Sequence, residues 1–144
     1  MILTRKLFET EIPEIDNGTI EIKAVSREAG SRAKVAVYSN NSDVDTIGAC
    51  IGQKGLRIKN IVDELNGEKI DIVEWKEDKA EFVSKALSPS KVLKVEMSED
   101  QTTAKVLVPG DQLSLAIGKN GQNARLAARL TNVRVDIKTA EEVK

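Results

Sequence analysis

Two patterns of apolar positions run through this chain, each occurring twice and in the same order. Ile58, Ile61, Val62 and Leu65 fall at i, i+3, i+4 and i+7, which places them on one face of a helix over 56–66. Asn66 and Gly67 stop that helix, and Lys69–Glu74 follows as a strand in which Ile70 and Ile72 alternate with Asp71. Further on, Ala124, Ala127, Ala128 and Thr131 repeat the helical spacing and Asn132 the stop. Val133, Val135 and Ile137 then alternate through a strand over 133–138. Upstream, each copy offers two strands, 19–25 and 33–38 in the first and 92–97 and Thr103–Val108 in the second. A short helix follows each pair, over 44–51 and 111–117. Ala80, Val83, Ala86 and Leu87 form a leading helical stripe for the second copy that Ser88 and Pro89 end. The stretch 7–15 supplies the counterpart in the first, shortened by Pro13.

Between the short and the long helix of each copy lies the same five-residue word: Ile51-Gly52-Gln53-Lys54-Gly55 and Ile117-Gly118-Lys119-Asn120-Gly121. With nine glycines in 144 residues, a bare Gly-x-x-Gly arises by composition roughly 0.5 times, and one preceded by Ile roughly 0.05 times. Two are therefore evidence of duplication. The loops match at an offset of 66 and the final strands at 65, so the copies differ by one residue between them. The element order predicts an α+β chain of two domains, 1–75 and 76–144, each a three-stranded mixed sheet with helices packed on one face. The segment 75–79 is too short for a flexible linker, so the domains are expected to form one rigid unit with their grooves in series.

Composition narrows the function. No histidine and one cysteine, Cys50, remove the usual zinc and haem ligand sets and the Ser/His and Cys/His nucleophile systems. Cys50 reads as a small buried residue on the helix that ends at Gly52. No apolar run approaches 18 residues and no secretory signal heads the chain, which gives the cytoplasm as the expected location. Neither a P-loop nor Gly-x-Gly-x-x-Gly occurs, and the carboxylate pairs Glu99–Asp100 and Glu141–Glu142 sit in turn and tail composition, so an enzyme is not expected and no cofactor is implied. The net charge of −1 hides a segregation. The windows 46–62 and 112–135 hold Lys54, Arg57, Lys59, Lys119, Arg125, Arg129 and Arg134 and no acid, whereas the rest of the chain carries 15 bases against 23 acids.

Both acid-free windows coincide with the glycine loops. A helix N-terminus offers unpaired N–H groups and partial positive charge to a phosphate. Glycines at 52, 55, 118 and 121 allow a sugar-phosphate chain to lie close. Gln53 and Lys54, and Lys119 and Asn120, point outward, with Lys59 and Arg125 one turn along the following helix. In the KH module such a loop clamps about four nucleotides of single strand. With aromatics only 3% of the chain, a base-stacking platform is not the mode of binding.

The element order resembles the prokaryotic, type II KH fold, and the resemblance goes further. The stretches 27–37 (REAGSRAKVAV), 48–55 (GACIGQKG), 62–75 (VDELNGEKIDIVEW), 86–92 (ALSPSKV) and 112–131 (QLSLAIGKNGQNARLAARLT) are similar to the tandem KH region of the NusA family of bacterial transcription factors. By that resemblance, bases would lie on an apolar floor drawn from Ile51, Ile58, Ile72, Ile117, Ala124 and Ile137. Arg57, Gln122, Asn123 and Arg134 join the loop residues as candidate RNA contacts. The family regulates pausing, termination and antitermination, which implies nascent single-stranded RNA and the RNA polymerase elongation complex as partners of a monomeric, non-membrane protein. Neither the polymerase-binding domain nor the S1 domain of the family is seen, leaving open an excised part of a longer factor or a stand-alone paired-KH protein. The competing reading is a KH-fold protein-interaction module that has lost RNA binding. Both loops keep their glycines and a basic residue, which speaks for RNA. Gly52→Asp and Gly118→Asp are expected to leave the fold intact and to weaken RNA binding.

Overall fold

The computed structural model describes residues 2–139; Glu141 and Glu142 lie outside the described residues. Two compact units meet at the Trp75/Lys76 boundary. The first contains α1 (Ile2–Glu11), α2 (Pro13–Asp16), β1 (Ile20–Glu28), β2 (Arg32–Ser39), α3 (Thr46–Ile51), α4 (Leu56–Glu64) and β3 (Lys69–Glu74). The second contains α5 (Lys79–Ala86), β4 (Lys94–Met97), β5 (Thr103–Val108), α6 (Leu113–Ile117), α7 (Gln122–Thr131) and β6 (Arg134–Thr139). A 3₁₀ turn, Gly110–Gln112, leads into α6.

Each unit builds the mixed sheet that the element order predicts. β1 runs antiparallel and β3 parallel to the central β2, and β4 and β6 stand in the same relation to β5. Alternation sends Val35 and Val37 of β2 into a core closed by Phe8, Ile12, Cys50, Ile61 and Leu65. In the second unit Ala104, Val106 and Val108 of β5 are buried, as are Val83 and Ala86 of α5, Ala116 of α6, and Leu126, Ala127 and Leu130 of α7. In both units the two helices flanking a glycine word are pinned by apolar packing, and the last strand runs beside them: α3 and α4 pack on β3, α6 and α7 on β6.

Two local expectations are corrected. Pro13 does not shorten a single helix; it opens a second one. Ile12 is extended (φ −118°, ψ 101°), and Pro13 takes the first helical position of α2, where its missing N–H costs nothing. Strand β1 extends three residues beyond 19–25, to Glu28. The register slips between Ile22 and Ala24, so Lys23 is a bulge residue, and the positions opposite the core valines change from even (Ile22 against Val37) to odd (Val25 against Val35). A period-two reading loses the strand at that slip.

Candidate nucleic-acid interface

The two glycine words adopt nearly superimposable backbones. Gly52 (φ 81°, ψ 173°) and Gly118 (φ 82°, ψ 167°) end α3 and α6 in a region open essentially to glycine alone. Lys54 (φ 55°, ψ 25°) and Asn120 (φ 57°, ψ 26°) are left-handed. Gly55 (φ 72°) and Gly121 (φ 76°), left-handed as well, form the N-caps of α4 and α7. Each turn closes with a backbone bond, Gly55 N–H to Gly52 O (3.1 Å) and Gly121 N–H to Gly118 O (3.0 Å). Neither N-cap supplies a side-chain hydrogen bond, and neither first turn contains an acid. A glycine cap offers no side chain to the first N–H groups of either helix, and each helix starts beside a loop whose two central residues are exposed.

The glycines of a pair are not equivalent. A Cβ on Gly118 would stand 2.6 Å from the backbone nitrogen of Asn123, and one on Gly52 the same distance from Arg57 Cγ; at Gly55 it would meet nothing within 4 Å. The first glycine makes the loop possible, and the expectation that Gly52→Asp and Gly118→Asp leave the structure intact is corrected on that ground. Gly118→Ala is expected to destabilise its unit by about 2 kcal/mol and Gly52→Ala by less, because Arg57 can shift where a backbone nitrogen cannot. Gly55→Ala should cost about 1 kcal/mol, the left-handed strain alone. Chemical denaturation of the three variants checks this order.

Among the other predicted residues, Gln53, Lys54, Lys119 and Asn120 are exposed at the loop tips. Lys54 occupies the position of Asn120, and Lys119 that of Gln53, so the two lysines stand one residue apart along their loops. Arg125 folds back onto its own loop, donating from Nη1 to Asn120 O (3.0 Å). Lys59, its counterpart, pairs with Asp63 (3.1 Å) on the exposed face of α4. Where the first unit has Asp63 the second has Arg129, so α7 carries two bases and no acid and α4 a balanced set. Ile58 and Ile72 are half-buried against the first core; Ile51 and Ile137 are half-buried, and Ile117 is 37% exposed. Gln122 is half-buried at the first position of α7.

Three predicted contacts are placed elsewhere. Asn123 is buried, its Nδ2 donating to Leu87 O (3.0 Å) and Ala116 O (3.0 Å). Arg57 Nη1 donates to Glu14 Oε1 (2.8 Å) and Ala49 O (2.7 Å). Arg134 shares an exposed face of β6 with Asp136 and Lys138, opposite the face carrying Ile137. A depression on that opposite face, lined by Lys94, Glu96, Lys105, Leu107, Asp136 and Lys138 among others, contains no residue of either loop. Sequence reading missed Leu56, which directly follows Gly55 and is 59% exposed, and Leu115 on α6, 43% exposed. Comparing the copies position by position sets Leu56 against Gln122, an apolar residue against a polar one, and that was the available signal.

Burial first, with Glu14 adding to it against Arg57, pushes the Cys50 thiol up to about 12, so the sulfur is protonated and inert. Among the described residues no group of His, Cys, Asp and Glu could hold a metal ion, and no helix is long and apolar enough to cross a membrane.

Residues 2–75 match the family described as the NusA-like first KH domain, and residues 79–144 the NusA-like second KH domain. The transcription termination/antitermination protein NusA of Halalkalibacterium halodurans is 58% identical over 99% of this chain, that of Bacillus subtilis 56% over 99%, and that of Thermus thermophilus 50% over 96%. This chain covers 37%, 38% and 36% of those proteins, a little over a third of their length. A crystal structure of APE1850 shares the fold at 22% identity, with a TM-score of 0.67 over 95% of this chain and 96% of that one. With the two domains matched in order along nearly every residue, this chain belongs to the NusA-like family of paired KH domains.

Proposed function

We propose that the chain binds single-stranded RNA through its two glycine loops, each taking about four nucleotides, and that it is the RNA-reading part of a factor acting on transcription pausing, termination and antitermination. One observation carries this reading: two loops of matching backbone geometry each open a helix that has no side-chain cap and no acid in its first turn. Phosphate oxygens are the ligands such N–H groups attract. The loop residues Gly52–Gly55 and Gly118–Gly121 form the clamps; Lys54, Lys59, Lys119 and Arg125 supply charge. Ile51, Ile58, Ile72, Ile117 and Ile137 form the apolar floor. Nascent RNA at RNA polymerase is the natural substrate, in the bacterial cytoplasm. The protein acts as a monomer by binding alone, without catalysis or a cofactor.

Two weak sites on one chain raise each other's effective concentration, so an RNA long enough for both should bind far more tightly than one that fills a single clamp. Four phosphate contacts at roughly 0.7 each predict a log–log salt slope near −3. Fluorescence anisotropy of a labelled single-stranded RNA across a salt series measures it. A slope indistinguishable from zero rules the mechanism out.

A further inference from the structure

Arg57 and Asn123 stand at equivalent positions, each five residues beyond the first glycine of its word and the second residue of its helix. Neither turns wholly to solvent. Arg57 reaches one way to the carboxylate of Glu14 on α2 and the other way to Ala49 O on α3. Asn123 reaches one way to Leu87 O, at the end of α5, and the other way to Ala116 O on α6. In both units one side-chain nitrogen therefore joins the segment ahead of the sheet, α2 in the first unit and the end of α5 in the second, to the last turn of the helix before the loop. It does so from the first turn of the helix after the loop. The first glycine lies against the same residue, since a Cβ there would strike Arg57 in one unit and Asn123 in the other.

We propose that Arg57 and Asn123 are positioning residues that brace the two clamps: they fix the angle between the helices on either side of each glycine turn, and hence where the loop N–H groups point. The proposal rests on the reading of the loops as RNA clamps and adds a difference between them. The braces do the same work with different chemistry. Arg57 and Glu14 form an ion pair, with side chains 32% and 31% exposed, which salt weakens. Asn123 is a neutral amide, 1% exposed, with nothing for salt to screen. The first clamp is tunable by ionic strength, and the second is set by the fold.

Amide hydrogen exchange, read residue by residue by NMR on the whole chain, tests this without RNA. Raising salt should speed exchange at residues 53–55 roughly threefold to tenfold relative to 119–121, and Glu14→Gln should produce that increase at low salt and abolish the salt effect. Arg57→Met should loosen the same residues and lower RNA affinity about fivefold, because only the competent fraction of loops binds. Arg57→Lys keeps the charge on a shorter side chain without the planar guanidinium, and should restore part of each. Asn123→Ala removes a buried donor and can unfold its unit, so the first unit carries the decision. The proposal is overturned if Glu14→Gln leaves exchange at 53–55 at the parent rate. It is equally overturned if Arg57→Met weakens RNA binding with loop exchange unchanged, since Arg57 would then be touching RNA. A parent protein that binds no RNA would remove the clamp reading, and the exchange rates would still decide the brace.

Discussion

Replacing Gln53 and Lys54 with Asp in the first loop and Lys119 and Asn120 with Asp in the second is expected to abolish RNA binding while both units stay folded. All four side chains are exposed at the loop tips, and the two left-handed positions, Lys54 and Asn120, are ones that Asp tolerates. The bond that Arg125 makes to Asn120 uses the backbone oxygen and survives the change. Each loop loses a cation and gains two carboxylates where phosphate should approach. Either pair alone should cost on the order of tenfold to a hundredfold, and both together more than a thousandfold, since the tethering advantage goes with the second site. The second pair should cost more, because α7 offers Arg125 and Arg129 where α4 sets Asp63 against Lys59. Anisotropy with labelled RNA, alongside circular dichroism melting, separates binding from folding. Affinity within threefold of the parent in the fourfold variant would show that the loops are not the clamp.

This design differs from changing the glycines themselves, and the reason shows how far sequence could reach. The duplicated word, the amphipathic helices beyond it and the alternating last strands are local patterns, and each appears in the structure where periodicity puts it. The order of elements then follows, and with it the mixed sheets. What periodicity cannot express is which member of a repeated pair is sterically locked: Gly118 is closed by the backbone of Asn123, while Gly55 faces open space, although both read as loop glycines. Long-range partners are equally silent. Arg57 looks like one more base in an acid-free window, and only the fold brings Glu14, 43 residues away, against it. Lys34 enters any charge count as a solvated base, yet it is fully buried with its ammonium 2.9 Å from Asp71. Arg134 follows the right helix in the right window, but strand alternation turns it to the opposite face from Ile137.

The one-residue mismatch between the copies has a physical meaning, and it sets the largest stability effect expected in the first unit. Gly67 N–H returns to Val62 O and Val133 N–H to Ala128 O, so the helix ends correspond at an offset of 66. Lys69 N–H donates to Ser31 O and Arg134 N–H to Thr102 O, so the strands correspond at 65. The residue without a counterpart is therefore Glu68. Its side chain is fully buried and accepts from Arg27 Nε (2.7 Å), Arg27 Nη2 (2.9 Å) and the Gly30 N–H (2.8 Å), tying the β1–β2 hairpin to the end of α4. The second unit secures its hairpin locally, with Ser98 and Thr102 hydroxyls both donating to Asp100. Glu68→Ala strips a bidentate partner from Arg27, whose side chain is 21% exposed, and should destabilise the first unit by about 3 kcal/mol. Glu68→Gln keeps the shape and should cost roughly half as much. Burial by itself would raise the carboxyl, but the bonds from Arg27 and Gly30 outweigh it and hold Glu68 below its ordinary 4.5. A lowered folded value means the contribution is complete above the unfolded value and disappears as pH falls through the folded one. Denaturation at pH 7 should therefore separate parent from Glu68→Ala by the full amount, and the gap should narrow steadily below about pH 4.5. A gap unchanged in acid would mean that the carboxylate is not what secures the hairpin.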